Sequence, residues 1–556
     1  MKPTLFLKGM SSVVFVLAGA ACSGDISGHS ESGFLRRPTA ASSVNQTTSS
    51  LGTDERAAWF ASIWRSRARR RAVTAPAPVA VPANDTTPSA EGPVASPETE
   101  ESPVVTPVPR PPAVISEPIP VTMPAPTPTP TTPVVEPGSF PGGFIEPTTS
   151  TQVRAKLSAS QLQSLLPAAG GKFKFPAPYG SEAIRLTDGN SCGGRDCVRY
   201  VGYSYWRNIN NHVGQDSMLI VVGLDSATGG AGFSLFRYNK KTEKLDALGP
   251  VFASTRVATN VTGEDIYFSG TRPTIVYVAQ GSELLRMDVL TKAVEVAFDA
   301  ASKYGSDTYL WQHHSSDDDL VHSASLRVES TGATLGCLVY REGSDEFRLF
   351  EPEGDFDECQ VDRSGKWLII KDNIDNQQGE DNRIIDLETG VETKLLDQQG
   401  AGGHSDLGYG VLVAEDNWNN LPGAVRAWGL GQSPLVGPVV YHESAWRSDG
   451  SSHISYTNAR PSTARAREAE VACQSTVARG QFNRGSEIFC YRLDGSLDVM
   501  VVAPVMTDLD AAGGGDDYAK SPKGNLDVTG RYFIWTSNAG GNRLDAFLVK
   551  IPSLLE

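Results

Sequence analysis

Arg383-Ile384-Ile385-Asp386-Leu387-Glu388-Thr389-Gly390 is a bulky strand running into an acidic turn, and the same grammar returns at Leu235-Phe236-Arg237-Tyr238-Asn239-Lys240-Lys241-Thr242 and Leu284-Leu285-Arg286-Met287-Asp288-Val289-Leu290-Thr291. Shorter copies at 347–351, 425–428, 488–495 and 546–551 bring the number to seven. A second phrase, a tight turn before a hydrophobic strand, occurs at Val361-Asp362-Arg363-Ser364-Gly365-Lys366-Trp367, at Trp446-Arg447-Ser448-Asp449-Gly450 and at Leu526-Asp527-Val528-Thr529-Gly530-Arg531-Tyr532. Asp and Gly supply the side-chain hydrogen bond and the positive φ that such turns need. Seven units over residues 200–549 average about 50 residues, near the roughly 40–50 of a four-stranded blade. The spacing predicts an all-β chain folded as a seven-bladed β-propeller over 151–556, with a pair of packed sheets as the competing arrangement.

Outward from the repeats the composition changes. Between Pro76 and Pro147 there are 21 prolines in 72 residues, mixed with Thr, Val, Ala and Glu. Proline fixes the backbone near polyproline II and no core forms, so 76–150 reads as a disordered, semi-rigid linker. Residues 22–75 read as disordered too, with Trp59, Phe60, Ile63 and Trp64 set beside Arg65, Arg67, Arg69, Arg70 and Arg71 as a short basic amphipathic stretch. The 556 residues carry 49 Lys and Arg against 64 Asp and Glu, a net charge of −15, and the first 150 residues are almost balanced at 11 basic and 12 acidic. An acidic main domain repels phosphate backbones, so nucleic acid is set aside as a partner.

Lys2 and Lys8 precede an apolar run, Val13 to Ala21, that is too short to span a bilayer. Residues 1–21 therefore read as a signal peptide. Leu17-Ala18-Gly19-Ala20-Ala21-Cys22 resembles the lipobox of bacterial lipoproteins, which implies a lipid on Cys22 and a place at the outer membrane, on its periplasmic face or at the cell surface; an ordinary cleaved signal is the alternative. The other six cysteines fall into near neighbours, Cys192 with Cys197, Cys337 with Cys359 and Cys473 with Cys490, and an exported chain favours disulfides. Zinc is the weaker reading, since none of these pairs is a close Cys-x-x-Cys.

The turn phrases over 200–549 resemble those of TolB-type and oligogalacturonate lyase propellers. Side chains just ahead of innermost strands would converge on a channel mouth, and there the sequence puts His212, His313, His314, His322, His404 and His442, with His453 outside the set. His442-Glu443-Ser444-Ala445-Trp446-Arg447-Ser448-Asp449-Gly450 resembles the His-Glu, aromatic, Asp-Gly phrase of oligogalacturonate lyases. That resemblance implies His442 as a ligand of a divalent metal, Mn or Ca. His404 and Gln360 would complete the set by placement.

The chemistry implied is β-elimination from a uronic acid: a metal or Arg neutralises the carboxylate while a base removes the neighbouring proton. His212 and His314 are the candidate bases and Arg207 the candidate clamp. The expected ligand is an acidic polysaccharide or oligosaccharide bound by a monomer; the second reading is a non-catalytic propeller that contacts envelope proteins. Asp317-Asp318-Asp319, 372–382 and 508–517 miss EF-hand spacing, with Ile374 and Ala512 where oxygen ligands belong, and read as solvated loops. No Gly-x-Ser-x-Gly elbow, P-loop or dinucleotide fingerprint is present.

Overall fold

A computed structural model describes residues 140–553 apart from 200–202, 258–263, 265, 378–379, 417–423, 434, 443–449 and 457–469. The signal segment, Cys22, the basic stretch and most of the proline-rich linker lie outside the described residues. The described chain forms seven antiparallel sheets, five of them laid down wholly in sequence order from the first strand outward and two completed by N-terminal strands. First strands of successive sheets touch, Thr308–Ser315 against Glu358–Val361 and Gly402–Leu407 against Gly450–Ser455 for example, so they make the inner ring of a seven-bladed propeller.

Blade 1 runs from Ile209–Asn210 to Lys244–Pro250, blade 2 from Ile266–Phe268 to Val294–Asp299, and blade 3 from Thr308–Ser315 to Glu346–Phe350. Blade 4 spans Glu358–Val361 to Glu392–Leu395 and blade 5 Gly402–Leu407 to Val439–Tyr441; blade 6 starts at Gly450–Ser455 and blade 7 at Asn525–Leu526. The cores lie between neighbouring blades. Leu219, Val221 and Leu235 of blade 1 meet Val276, Val278 and Leu285 of blade 2, for instance. Second and third strands are thus buried on both faces, and some, such as Ser217–Leu224, read as continuous apolar runs.

That burial corrects one expectation. The histidines were expected just ahead of innermost strands at 218–222, Leu326 and 410–414, but these runs belong to or lead into second strands, while the innermost strands ahead of them are shorter or more polar.

The recurring turn phrases hold the ring together. Asp386 Oδ1 accepts from the amides of Glu388 and Thr389 at 2.9 and 3.1 Å, closing its own hairpin. Asp362 accepts from the amides of Lys366 and Trp367 at 3.1 and 3.0 Å, and its other oxygen takes the Gly410 amide of blade 5 at 2.8 Å. Asp527 does the same between blade 7 and Asn211 of blade 1.

The ring closes with N-terminal chain. Blade 7 has three C-terminal strands, Asn525–Leu526, Tyr532–Ser537 and Asp545–Lys550, and two N-terminal ones, Glu182–Arg185 and Lys172–Lys174. Phe144–Pro147 adds a fifth strand to blade 6, pairing with residues 498–501. The propeller therefore takes in residues ahead of the expected boundary at 151. Glu146 lies 3.0 Å from the buried Arg484 guanidinium, which also reaches the Pro147 carbonyl. At the seam the Phe140 amide donates to Ser553 Oγ at 3.3 Å, and the Ser553 amide donates back to the Phe140 carbonyl at 3.4 Å.

All three expected cysteine pairs are bonded: Cys192–Cys197, Cys337–Cys359 and Cys473–Cys490. Cys337–Cys359 joins blade 3 to the innermost strand of blade 4.

Candidate functional site

Two innermost strands break register where they carry imidazoles. The strand Thr308–Ser315 bulges between Trp311 and His314, with Gln312 in the left-handed region at φ 56°; the strand Gly402–Leu407 bulges between Gly402 and Ser405, around His404. A bulge re-aims side chains that regular pleating would send into the blade. His314 is thereby packed against Tyr205 and Trp206, with ring centroids 5.6 and 4.8 Å away. The His404 ring stacks on His453 at 4.6 Å, and its side chain is 40% exposed, so it faces the open end of the channel.

The segment 203–206 enters this end ahead of blade 1. Tyr205 Oη donates to Glu358 Oε2 at 2.5 Å, and the same buried carboxylate pairs with Lys371 Nζ at 2.5 Å and receives Gln360 Nε2 at 3.4 Å. His404 Nδ1 lies 2.5 Å from the Ser452 carbonyl, which fixes the proton on Nδ1, so Nε2 accepts from Tyr203 Oη at 3.5 Å. Tyr203, Tyr309 and Trp311 are half-buried around the same mouth.

The far end is closed by charge. Arg207 pairs with Asp317, Arg363 Nη2 lies 3.4 Å from Asp406, and the Arg363 guanidinium also donates to Tyr267 Oη. Gly270 is required here: a Cβ would stand 2.3 Å from the Asp317 carbonyl and 2.8 Å from the Arg207 guanidinium. Burial, opposed by Arg363, pushes the Asp406 carboxyl up to about 7.

Burial next to Lys371 lowers His314 to about 3, and burial also holds His453 and His313 well below the usual imidazole range. Asp406 binds a proton on folding wherever pH lies between its unfolded value of 3.8 and its folded value of about 7, so its contribution to stability grows as pH falls through 7 and is complete below about 4. The three lowered histidines bind protons more readily when unfolded, so their contribution is lost as pH falls below about 6.5. We expect the urea midpoint to fall on the acid side of about pH 6.5, and Asp406→Asn to steepen that fall by removing the opposing proton uptake; an acid limb of unchanged slope in Asp406→Asn would contradict the Asp406 assignment.

The expected site residues are not all brought together. Arg207 is committed to Asp317 at the far end and is no clamp at the mouth. His314 is buried and neutral, far from the range of a working base. His212 sits in the turn beyond the short innermost strand of blade 1, on the other side of that strand from residues 203–206. Gln360 does line the channel, bound to Glu358.

His442 comes just after Val439–Tyr441, the outermost strand of blade 5, whereas His404 is on the innermost. Three strand spacings of about 4.8 Å put them roughly 14 Å apart, too far to share an ion. His442 is held at the perimeter, its amide and carbonyl both bonded to Thr148 Oγ1. Glu443 to Asp449 lie outside the described residues. His453, left out by sequence, is central instead. Arg327 and Trp311 were also missed; a charged residue inside the apolar run Leu326-Arg327-Val328 was the available signal.

The imidazole metal set therefore does not assemble: among the described residues the one group of three His, Cys, Asp or Glu ligand atoms within 4.8 Å of one another is Asp375, Asp381 and Asp397. These lie on blade 4, where Asp397 comes from a different loop and supplies what the 372–382 spacing lacks. The expectation of a solvated loop fails there, because Asp372, Asp381 and Asp397 are buried. All-oxygen donors suit a hard divalent cation, yet both Asp381 oxygens already accept backbone amides, from Asp397 at 2.8 Å and Ile374 at 2.9 Å.

No family model matches the chain, and no curated protein matches it. Solved structures do. An oligogalacturonate lyase in complex with manganese is similar at 12% identity and TM-score 0.47, over 70% of this chain and 100% of that one. The oligogalacturonate lyase of Vibrio parahaemolyticus gives 9% identity and TM-score 0.45 over the same shares. TolB from Acinetobacter baumannii gives 11% and 0.32, over 51% of this chain and 63% of that chain. Both kinds of propeller that the turn phrases resemble are thus among the similar structures, and the fold itself stands on the seven sheets.

Proposed function

We propose that this protein is an exported propeller, tethered to the outer membrane by a lipid on Cys22 and a proline-rich stalk, that binds an acidic oligosaccharide at its channel mouth as a monomer. The observation that supports this most is the set of half-buried rings at the channel mouth, Tyr203 against the bulge-borne His404 and Tyr309 and Trp311 on the innermost strand of blade 3. Flat apolar surfaces with a few fixed polar groups at their edges are what a sugar ring needs. Binding is favoured over cleavage because the groups that elimination would use are spent on one another: Lys371 on Glu358, Arg207 on Asp317, His404 Nδ1 on a carbonyl.

Calorimetric titration of the full chain with polygalacturonate, alginate and neutral galactan tests the reading, with ultraviolet absorbance followed for unsaturated uronides. Saturable binding to an acidic glycan without new absorbance is expected. Absence of binding to either acidic glycan overturns it. Rising absorbance would replace binding by elimination.

A further inference from the structure

Four buried cations of the ring are matched by carboxylates, Arg207 by Asp317, Arg363 by Asp406, Lys371 by Glu358 and Arg484 by Glu146, and buried Lys520 donates to the Leu509 and Ala511 carbonyls. Arg327 differs. It stands on the second strand of blade 3, opposite Tyr309, and is 7% exposed. Among the described residues it forms no ion pair; the Tyr309 hydroxyl is its hydrogen-bond partner, and Asp357 and Glu264 act on it only at longer range. Its Nε is buried with no acceptor. The Trp311 ring lies 3.9 Å from its Cζ and covers one face of the guanidinium.

A guanidinium capped on its face offers donors in its own plane, along the Nε edge, and two parallel N–H groups there match the two oxygens of a carboxylate. Leaving such a cation buried and unmatched is costly, and an arriving carboxylate removes that cost. Tyr309 and Trp311 stand near the start of the innermost strand of blade 3, which touches the strand that Glu358 begins in blade 4, and this places Arg327, paired with Tyr309, at the mouth already described. The negative charge of Asp357 and Glu264 admits one carboxylate at this point more readily than a dense polyanion.

We propose that Arg327, under the cover of Trp311, receives a single carboxylate of the bound saccharide and so sets the preference for acidic over neutral sugar. This rests on the reading of the mouth as a saccharide site.

The test compares trigalacturonate with its carboxyl-reduced counterpart, galactotriose, on the full chain, Arg327→Gln and Arg327→Lys, with thermal melts to check folding. In wild type the acidic trimer binds more tightly. Arg327→Gln should weaken the acidic trimer about 10- to 100-fold and change the neutral one little, from the usual worth of charge-assisted hydrogen bonds. Arg327→Lys, which keeps the charge and the stem but not the fork, should recover part of the loss and stands in if the Gln variant does not fold. An unchanged acid-to-neutral ratio in both variants overturns the role of Arg327 and leaves the saccharide site intact. Wild-type binding of the neutral trimer with no acid preference also overturns Arg327 alone, whereas binding of neither trimer overturns both readings.

Discussion

A chain begun at residue 151, just past the expected end of the proline-rich linker, should fold but lose about 3–5 kcal/mol relative to one begun at 136, the worth of a broken buried ion pair. The loss comes from Arg484, whose side chain is 1% exposed and which is held by Glu146 and by the carbonyls of Pro147 and Thr148. Removing those partners leaves a guanidinium buried without its counter-charge, and that is where a broken buried pair becomes expensive. Arg154, which bridges Glu146 and Glu487, would keep Glu487 at 2.6 Å and soften the effect slightly. A chain begun at 186 should lose more still, because blade 7 would lose its two outer strands, Lys172–Lys174 and Glu182–Arg185, and expose the unpaired edge of Asp545–Lys550. Urea unfolding of the three chains decides this. Equal midpoints for starts at 136 and 151 would show that the Phe144–Pro147 strand is ornamental.

Lys371→Met should be nearly as damaging, at about 3–5 kcal/mol, since it strands the Glu358 carboxylate and the Tyr205 hydroxyl that leans on it. The partner variant Glu358→Leu strands the ammonium instead. Combined, the two should recover most of the loss, because an apolar pair of similar volume needs no desolvated charge. A double-mutant cycle reads the coupling directly. Additive losses in the double variant would mean that the pair is not the unit described.

The blades were legible because their turns are local. Asp288 accepts the amides of Leu290 and Thr291 at 2.8 and 2.7 Å within three residues, and any chain with that spelling makes that turn. Phe144-Ile145-Glu146-Pro147 was not legible, since nothing in four residues of a proline-rich run announces a strand; only pairing with residues 498–501 makes it one. The channel was half legible. Gly402-Gly403 ahead of His404 hinted at the bulge, but His453 reads like any strand residue until its neighbour blade stacks His404 on it. The His442 phrase misled because the resemblance fixes the residues after the histidine, not how many strands lie between it and the axis.

The seam at Phe140 decides where a pull would act. Tension arriving along the proline-rich segment reaches the ring at a residue clipped to Ser553, just past the final strand, and packed on Tyr532 with ring centroids 5.4 Å apart. The load is handed at once to the perimeter of blades 6 and 7, the part of the ring built from both chain termini. Innermost strands near the axis lie off that path. A pull on the chain ahead of Phe140 would strain the closing joint before it reached the innermost strands around the channel.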